Sequence, residues 1–214
     1  MASQLLVSCG TSGPSLSARQ QQMAPIVAAE ERRCLSSGAV VETAFIRQRS
    51  ALGGPEVCGA LSPFEMSAAD QGRIAMKPAA LLRCPMIGPV DDWLARTVSP
   101  AAVYYLGEPV IEIRVAASYS CRTRNGLSGT NLSEHGLANA LDVSGFRLAD
   151  GRVVTVKQGW HGDPAEAAFL RAVHEAACRR FTTVLGPDAD RFHHDHFHVD
   201  LARHDADGRR RVCK

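Results

Sequence analysis

Arg191-Phe-His-His-Asp-His-Phe-His-Val-Asp200 puts four histidines and two aspartates within ten residues. If residues 194–201 run extended, side chains alternate between faces, so His194, His196, His198 and Asp200 share one and Phe197, Val199 and Leu201 the other. The second face packs on a core. The first presents a row of imidazoles, and a buried imidazole needs a partner for each ring nitrogen, so such a row suits a metal or a polar cleft better than an apolar interior. The stretch therefore reads as a strand with a core behind it and a site in front.

A zinc ion open to substrate takes three protein ligands at about 2.0 to 2.2 Å and leaves a fourth position to water. The His-Phe-His strand supplies one or two of them. The other unusual segment, Ser133-Glu-His-Gly-Leu-Ala-Asn-Ala-Leu-Asp142, sets a histidine seven positions before an aspartate. His135, Asp142 and His198 then complete a His2Asp set. Neither segment is specific alone; together their residue types fill one coordination sphere.

Outward from these segments, residues 26–37 show helical periodicity and residues 40–46 suit a strand. Gly53-Gly-Pro55 and Ser62-Pro-Phe64 then break the chain into loop, which we expect Cys58 and Cys84 to pin. Residues 78–84 and 90–98 read as short helices, the second with Asp91 and Asp92 in its first turn and Pro100 at its end. Val110, Ile111, Ile113 and Val115, interleaved with Glu112 and Arg114, predict a half-buried strand. Residues 141–148 and 152–158 flank Ala149-Asp-Gly151, a hairpin signal that puts Asp142 at the start of a strand. Asp163-Pro164 caps an amphipathic helix over residues 165–181. This order predicts one α+β domain over residues 26–214, a mostly antiparallel sheet with flanking helices. Residues 1–25, rich in Ser, Gly and Gln, are expected to form a disordered lead-in.

The chain has 214 residues, 45% hydrophobic and 21% charged, without an apolar run near the roughly 18 residues that a membrane helix needs. No transmembrane segment is expected. A net charge of +2, with arginines scattered rather than striped, gives no argument for nucleic acid. Seven cysteines at 9, 34, 58, 84, 121, 178 and 213 include no Cys-x-x-Cys pair, so the pattern suits dispersed disulfides in an oxidising compartment, with Cys9 left over. An exported chain should carry a signal, yet residues 1–25 lack a basic start followed by an apolar run. Leu6-Val-Ser-Cys9 has the form of a lipoprotein cleavage box but is preceded by no positive charge; we read it as chance or as the remnant of a signal.

Zinc held by His135, Asp142 and His198 lowers the pKa of bound water towards about 7, so the reaction class implied is metal-assisted hydrolysis. Asp195, three residues before the last ligand, is the first choice of base, with His193 and His196 as rivals. Asp195 serves only if the chain bends at the start of the strand. Arg122, after the strand that ends near Tyr119 and beside Cys121, is the choice for stabilising an oxyanion, and Arg124 the alternative. Asp200 or Glu134 would accept from the second ring nitrogen of a ligand histidine. Serine hydrolysis is discounted because no Gly-x-Ser-x-Gly elbow occurs.

The pattern Ser133-x-His135-x-x-Ala138-x-Ala140-x-Asp142 with the later Asp195-x-x-His198 resembles the zinc peptidases of the D-Ala-D-Ala carboxypeptidase, murein endopeptidase and Hedgehog-type group. More closely, Ser118-Tyr-Ser-Cys-Arg-Thr-Arg-Asn125, Ser133-Glu-His135, Ala140-Leu-Asp-Val-Ser-Gly-Phe146, Val184-Leu-Gly-Pro187 and His193-His-Asp-His-Phe-His-Val-Asp-Leu201 resemble the bacterial extensin-like C-terminal domain family, over roughly residues 34–213. The resemblance implies a Hedgehog/D-Ala-D-Ala-peptidase-like α+β fold, a zinc site of His135, Asp142 and His198, Arg122 beside it, peptidoglycan crosslinks as substrate and a place in the periplasm or cell envelope. The alternative it leaves is a zinc-containing wall-binding module without turnover. Two positions depart from the peptidase pattern. Ala138 replaces a glycine and is expected to be tolerated only at negative φ, and Asp195 replaces a longer glutamate.

Overall fold

The structure, a computed structural model, describes residues 16–53, 57–127 and 130–214. The first helix, α1 (Ala18–Ser37), starts earlier than the expected residue 26, because Ser17 and Gln20 form a capping box: the Ser17 hydroxyl accepts from the Gln20 amide at 3.1 Å and Gln20 Oε1 accepts from the Ser17 amide at 3.0 Å. The expected lead-in is thus corrected from Ala18 onward. Residues 1–15, with Cys9 and the cleavage-box resemblance, lie outside the described residues.

The stretch read as loop contains β1 (Ile46–Gln48), the two-stranded ladder of β2 (Leu52–Gly53) and β3 (Gly59–Ala60), and two longer strands, β4 (Phe64–Ala69) and β5 (Ile74–Leu82). The helix expected over residues 78–84 and the strand expected over residues 40–46 are both corrected. Pro78 misleads: it lies in β5 just beyond the residues that pair with the next strand and in a gap of the pairing with β4, so its missing N–H breaks no ladder bond. α2 (Cys84–Trp93) follows, then a π turn over Leu94–Val98 and α3 (Ser99–Leu106). Pro100 sits in the first turn of α3 and starts a helix instead of ending one, since a first-turn N–H has no intrahelical partner to lose.

β6 (Val110–Ala117) and β7 (Ala140–Leu148) match the expected strands, but the second hairpin strand, expected over residues 152–158, is corrected to β8 (Val153–Thr155), because Thr155 caps a short α4 (Val156–Gly159) by accepting from the Gln158 amide. α5 (Pro164–Arg180) follows, and its cap Asp163 accepts from the amides of Ala165 and Glu166. The chain closes with β9 (Thr183–Leu185), β10 (Phe197–Asp200) and β11 (Val212–Cys213). The sheet order is β1-β4-β5-β6-β7-β10-β9-β11, with β8 also on β7. The expected mostly antiparallel sheet is corrected to a mixed one, since β5 runs parallel to β6 and β11 parallel to β9.

Behind the sheet, Trp93, Phe146, Phe169, Phe181 and Phe197 are fully buried and join one core. Trp93 meets Phe181 edge-on and donates its indole N–H to the Val173 carbonyl at 3.0 Å, which ties α2 to α5. At Ser144 the β6–β7 register slips by one residue, so Val143 and Phe146, three apart, both enter that core and the alternation restarts.

Three disulfides staple the fold: Cys34–Cys84, Cys58–Cys121 and Cys178–Cys213. Cys58 and Cys84 therefore pin their loop to different partners: Cys84 fixes the end of α1, and Cys58 fixes the turn that carries Arg122. Three such bonds are consistent with an exported protein. No helix among the described residues is long and apolar enough to cross a membrane.

Candidate metal centre

Asp142 and His198 lie directly opposite each other on the antiparallel strands β7 and β10, so the pleat turns both side chains to the same face. His198 Nδ1 is 2.8 Å from Asp142 Oδ1. His135 arrives from elsewhere. It sits on a single 3-10 turn, Glu134–Leu137, capped by Ser133, and its Nε2 reaches Asp142 Oδ2 at 3.0 Å and His198 Nδ1 at 3.3 Å. All three residues are buried, and one donor atom from each falls within 4.8 Å of the others. Tetrahedral coordination at 2.0 to 2.1 Å separates neighbouring ligand atoms by roughly 3.3 Å, so these spacings need little change to hold a small divalent ion.

The supporting contacts also suit an ion. His135 Nδ1 donates to the Ser118 carbonyl at 2.6 Å, and His198 Nε2 donates to Asp200 Oδ2 at 3.0 Å, which fixes the ring nitrogens facing the site. Asp200 fills the role expected of it. Glu134 does not; its carboxylate accepts from Asn139 at 2.6 Å. The Ser118 carbonyl has no signature in the sequence, because a backbone acceptor is chosen by where the chain runs and not by residue type.

Electrostatics follow from burial and proximity. Burial pushes the Asp142 carboxyl up, but hydrogen bonds from His135 and His198 and their charge outweigh it and hold the group far below the usual carboxylate range. Burial alone would lower His198; Asp142 and Asp200, flanking both ring nitrogens, push it up to about 10. Burial likewise raises Asp200, and the His198 hydrogen bond and charge reverse that into a net lowering. Glu134 is pushed up to about 6 by burial and by the Asp200 charge. Without an ion, a proton on His198 holds the carboxylates together, and a divalent cation would take its place.

These groups line a cleft of about 530 Å³ that also takes in Arg122, Arg124, His193 and His196. Arg122 Nη2 stands 3.9 Å from Asp142 Oδ2. His193 is held through Nδ1 by Asp190 Oδ1 at 2.8 Å, a partner that the sequence analysis missed although its i,i+3 spacing in a turn is a usable signal. The bend that Asp195 requires is present: residues 191–196 form turns and β10 begins only at Phe197. Asp195 itself is half-exposed and outside the cleft lining; its Oδ1 accepts from His196 Nδ1 at 2.8 Å, while His196 Nε2 lies 3.7 Å from Asp142 Oδ2. The hydrogen bond from His196 keeps Asp195 below the usual carboxylate range against a small opposing effect of burial. His194 is exposed and takes no part, so the expected row of four shared positions reduces to His198 and Asp200 on the strand and His196 on the turn before it.

A second grouping, His174 with Cys178 and Cys213, offers no metal site because both cysteines are disulfide-bonded.

The extensin-like protein C-terminus family matches residues 32–214, nearly the whole described chain, and the match spans every side chain of the cleft. The chain belongs to this family. No curated protein and no solved structure matches it. In this extensin-like domain Ala138 closes the turn that carries His135 at φ 51° and ψ 28°, fully buried, which corrects the expectation of a negative φ. The left-handed conformation is required there: the Ala138 amide bonds back to the His135 carbonyl at 3.1 Å, and its own carbonyl accepts from the Arg83 amide at 2.8 Å. Because left-handed backbone costs about 1 to 2 kcal/mol for a residue with a Cβ, Ala138→Gly should raise stability by about 0.5 to 1 kcal/mol after loss of one buried methyl. Chemical denaturation of the two proteins checks the sign.

Proposed function

We propose that this domain is a zinc-dependent peptidase of the cell envelope that hydrolyses peptide crosslinks of peptidoglycan. The observation that carries the reading is the convergence of His135, Asp142 and His198 on one point of an open cleft. Support also comes from the likeness of Ser133-x-His135, Asp142 and Asp195-x-x-His198 to the D-Ala-D-Ala carboxypeptidase, murein endopeptidase and Hedgehog-type peptidases, whose fold we take this domain to share. His135, Asp142 and His198 would hold the ion, which supplies a Lewis acid that polarises a carbonyl and acidifies water.

The remaining work falls to the chain. His196, oriented by Asp195, faces the cleft and handles the proton of the attacking water and then of the leaving amine. His193 supports it from 5.3 Å, ring to ring. Arg122 donates to the carbonyl oxygen as negative charge builds on it, with Arg124 also on the cleft wall. Three disulfides fit an oxidising periplasm.

Digestion of purified sacculi tests the proposal. Released muropeptides should disappear on chelation, return with zinc, and fall by more than about 100-fold in His135→Ala, beyond the range typical of merely supporting groups. Turnover indifferent to chelator and to His135→Ala rejects it. A further expectation comes from the raised His198: at pH 7 it carries a proton that a metal must displace, so loading zinc should release about one proton per ion in weakly buffered solution. Uptake without proton release would place the ion elsewhere.

A further inference from the structure

Beneath α1 lies a second cavity, of about 360 Å³, within the size range of small-molecule sites, about 300 to 1,000 Å³. Gln20, Ala24, Val27, Ala28 and Glu31 recur at helical spacing and form its roof. Leu52, Leu137 and Leu201 add apolar wall, and Glu134 lies in the lining of both this cavity and the metal cleft. The polar part is unusual. Glu31, Arg83 and Asn139 are 5%, 3% and 1% exposed, yet Glu31 Oε1, Arg83 Nε and Asn139 Oδ1 have no hydrogen-bond partner, and neither has Arg203 Nε. Of the five buried side-chain polar atoms without a partner among the described residues, four belong to side chains that line this one cavity.

Buried donors and acceptors left unmet are unfavourable, so four in one place mark a site and not a packing accident. Their chemistry specifies the ligand. Arg83 and Arg203 offer N–H groups to an acceptor, while Glu31 and Asn139 offer oxygens to a donor. Glu30 already neutralises Arg203 at 2.6 Å, and Glu31, Glu134 and Glu30 set their charges around Arg83 without forming an ion pair with it. An anion would add to that acidic lining and the two arginines disfavour a cation; an amide carries both a carbonyl and an N–H without charge. We propose that this cavity binds an uncharged amide on a small apolar body, the chemistry of one aliphatic residue within a peptide. The site is separate from the His135, Asp142 and His198 chemistry and does not rest on it.

The test uses the full chain with its disulfides intact and N-acetyl-L-leucinamide as probe, titrated by heteronuclear NMR. Saturable shifts are expected at Arg83, Asn139 and along α1. N-acetyl-L-leucine, which replaces the carboxamide with a carboxylate, and 4-methyl-1-pentanol, which lacks any amide, should each bind at least about tenfold more weakly. Ala28→Trp fills the roof and should abolish binding while zinc uptake is unchanged; Arg83→Met should weaken the amide about tenfold, and if that variant does not fold the Ala28→Trp comparison still decides. No saturable binding of the amide, equal binding of the comparators, or binding that survives Ala28→Trp overturns the proposal.

Discussion

Replacing His198 with alanine should lower the stability of the metal-free protein by about 3 to 5 kcal/mol and eliminate tight zinc binding, the largest effect expected of any single change here. The reason is that His198 is the cation between Asp142 and Asp200, both buried, and its loss leaves Asp200 without a counter-charge and Asp142 with only His135 and the more distant Arg122. Urea denaturation of chelated wild type and variant measures the first effect, and equilibrium dialysis of zinc the second. A loss below about 1 kcal/mol would show that the carboxylates find other partners. The pH dependence has a definite sign. The folded value of about 10 lies above the ordinary histidine value near 6.5, so this group's stabilisation is complete below about pH 6.5 and fades as pH rises through about 10. With zinc bound the dependence on His198 reverses, because proton and metal compete for the same nitrogen.

Replacing Cys58 and Cys121 with alanine should cost about 2 to 4 kcal/mol. The bond closes a loop of 63 residues, and releasing it returns chain entropy to the unfolded state. The bond also fixes the residue next to Arg122, so a fall in muropeptide release at temperatures where the variant stays folded should accompany the stability loss. A urea midpoint unchanged from wild type would mean that the loop is held by its other contacts alone.

The sequence carries much of this site because coordination chemistry restricts residue types. His135, Asp142 and His198 are identifiable as a set without coordinates, since the residue types of two separate segments together fill one coordination sphere, and the hairpin around Gly151 and the cap at Asp163 are local signals that local structure obeys. The misread elements have a common cause. In β4 and β5, Ser62-Pro-Phe64 and Pro78 look like chain breakers, yet each strand is stabilised by ladder partners distant in sequence, which local propensity does not register. β9 and β11 are equally silent, since two or three residues become strands only by pairing with each other and with β10.

Residue chemistry alone determined which side chains are equipped to grip a metal and that a core lies behind the strand bearing Phe197 and Val199. Tertiary structure decided the rest. The opposite placement of Asp142 and His198, the choice of Ser118 as acceptor, the turning of Asp195 away from the cleft towards His196, and the pairing of the cysteines all depend on which distant backbones lie side by side. Those neighbours are set by burying one shared core, a property of the whole chain that no short stretch contains.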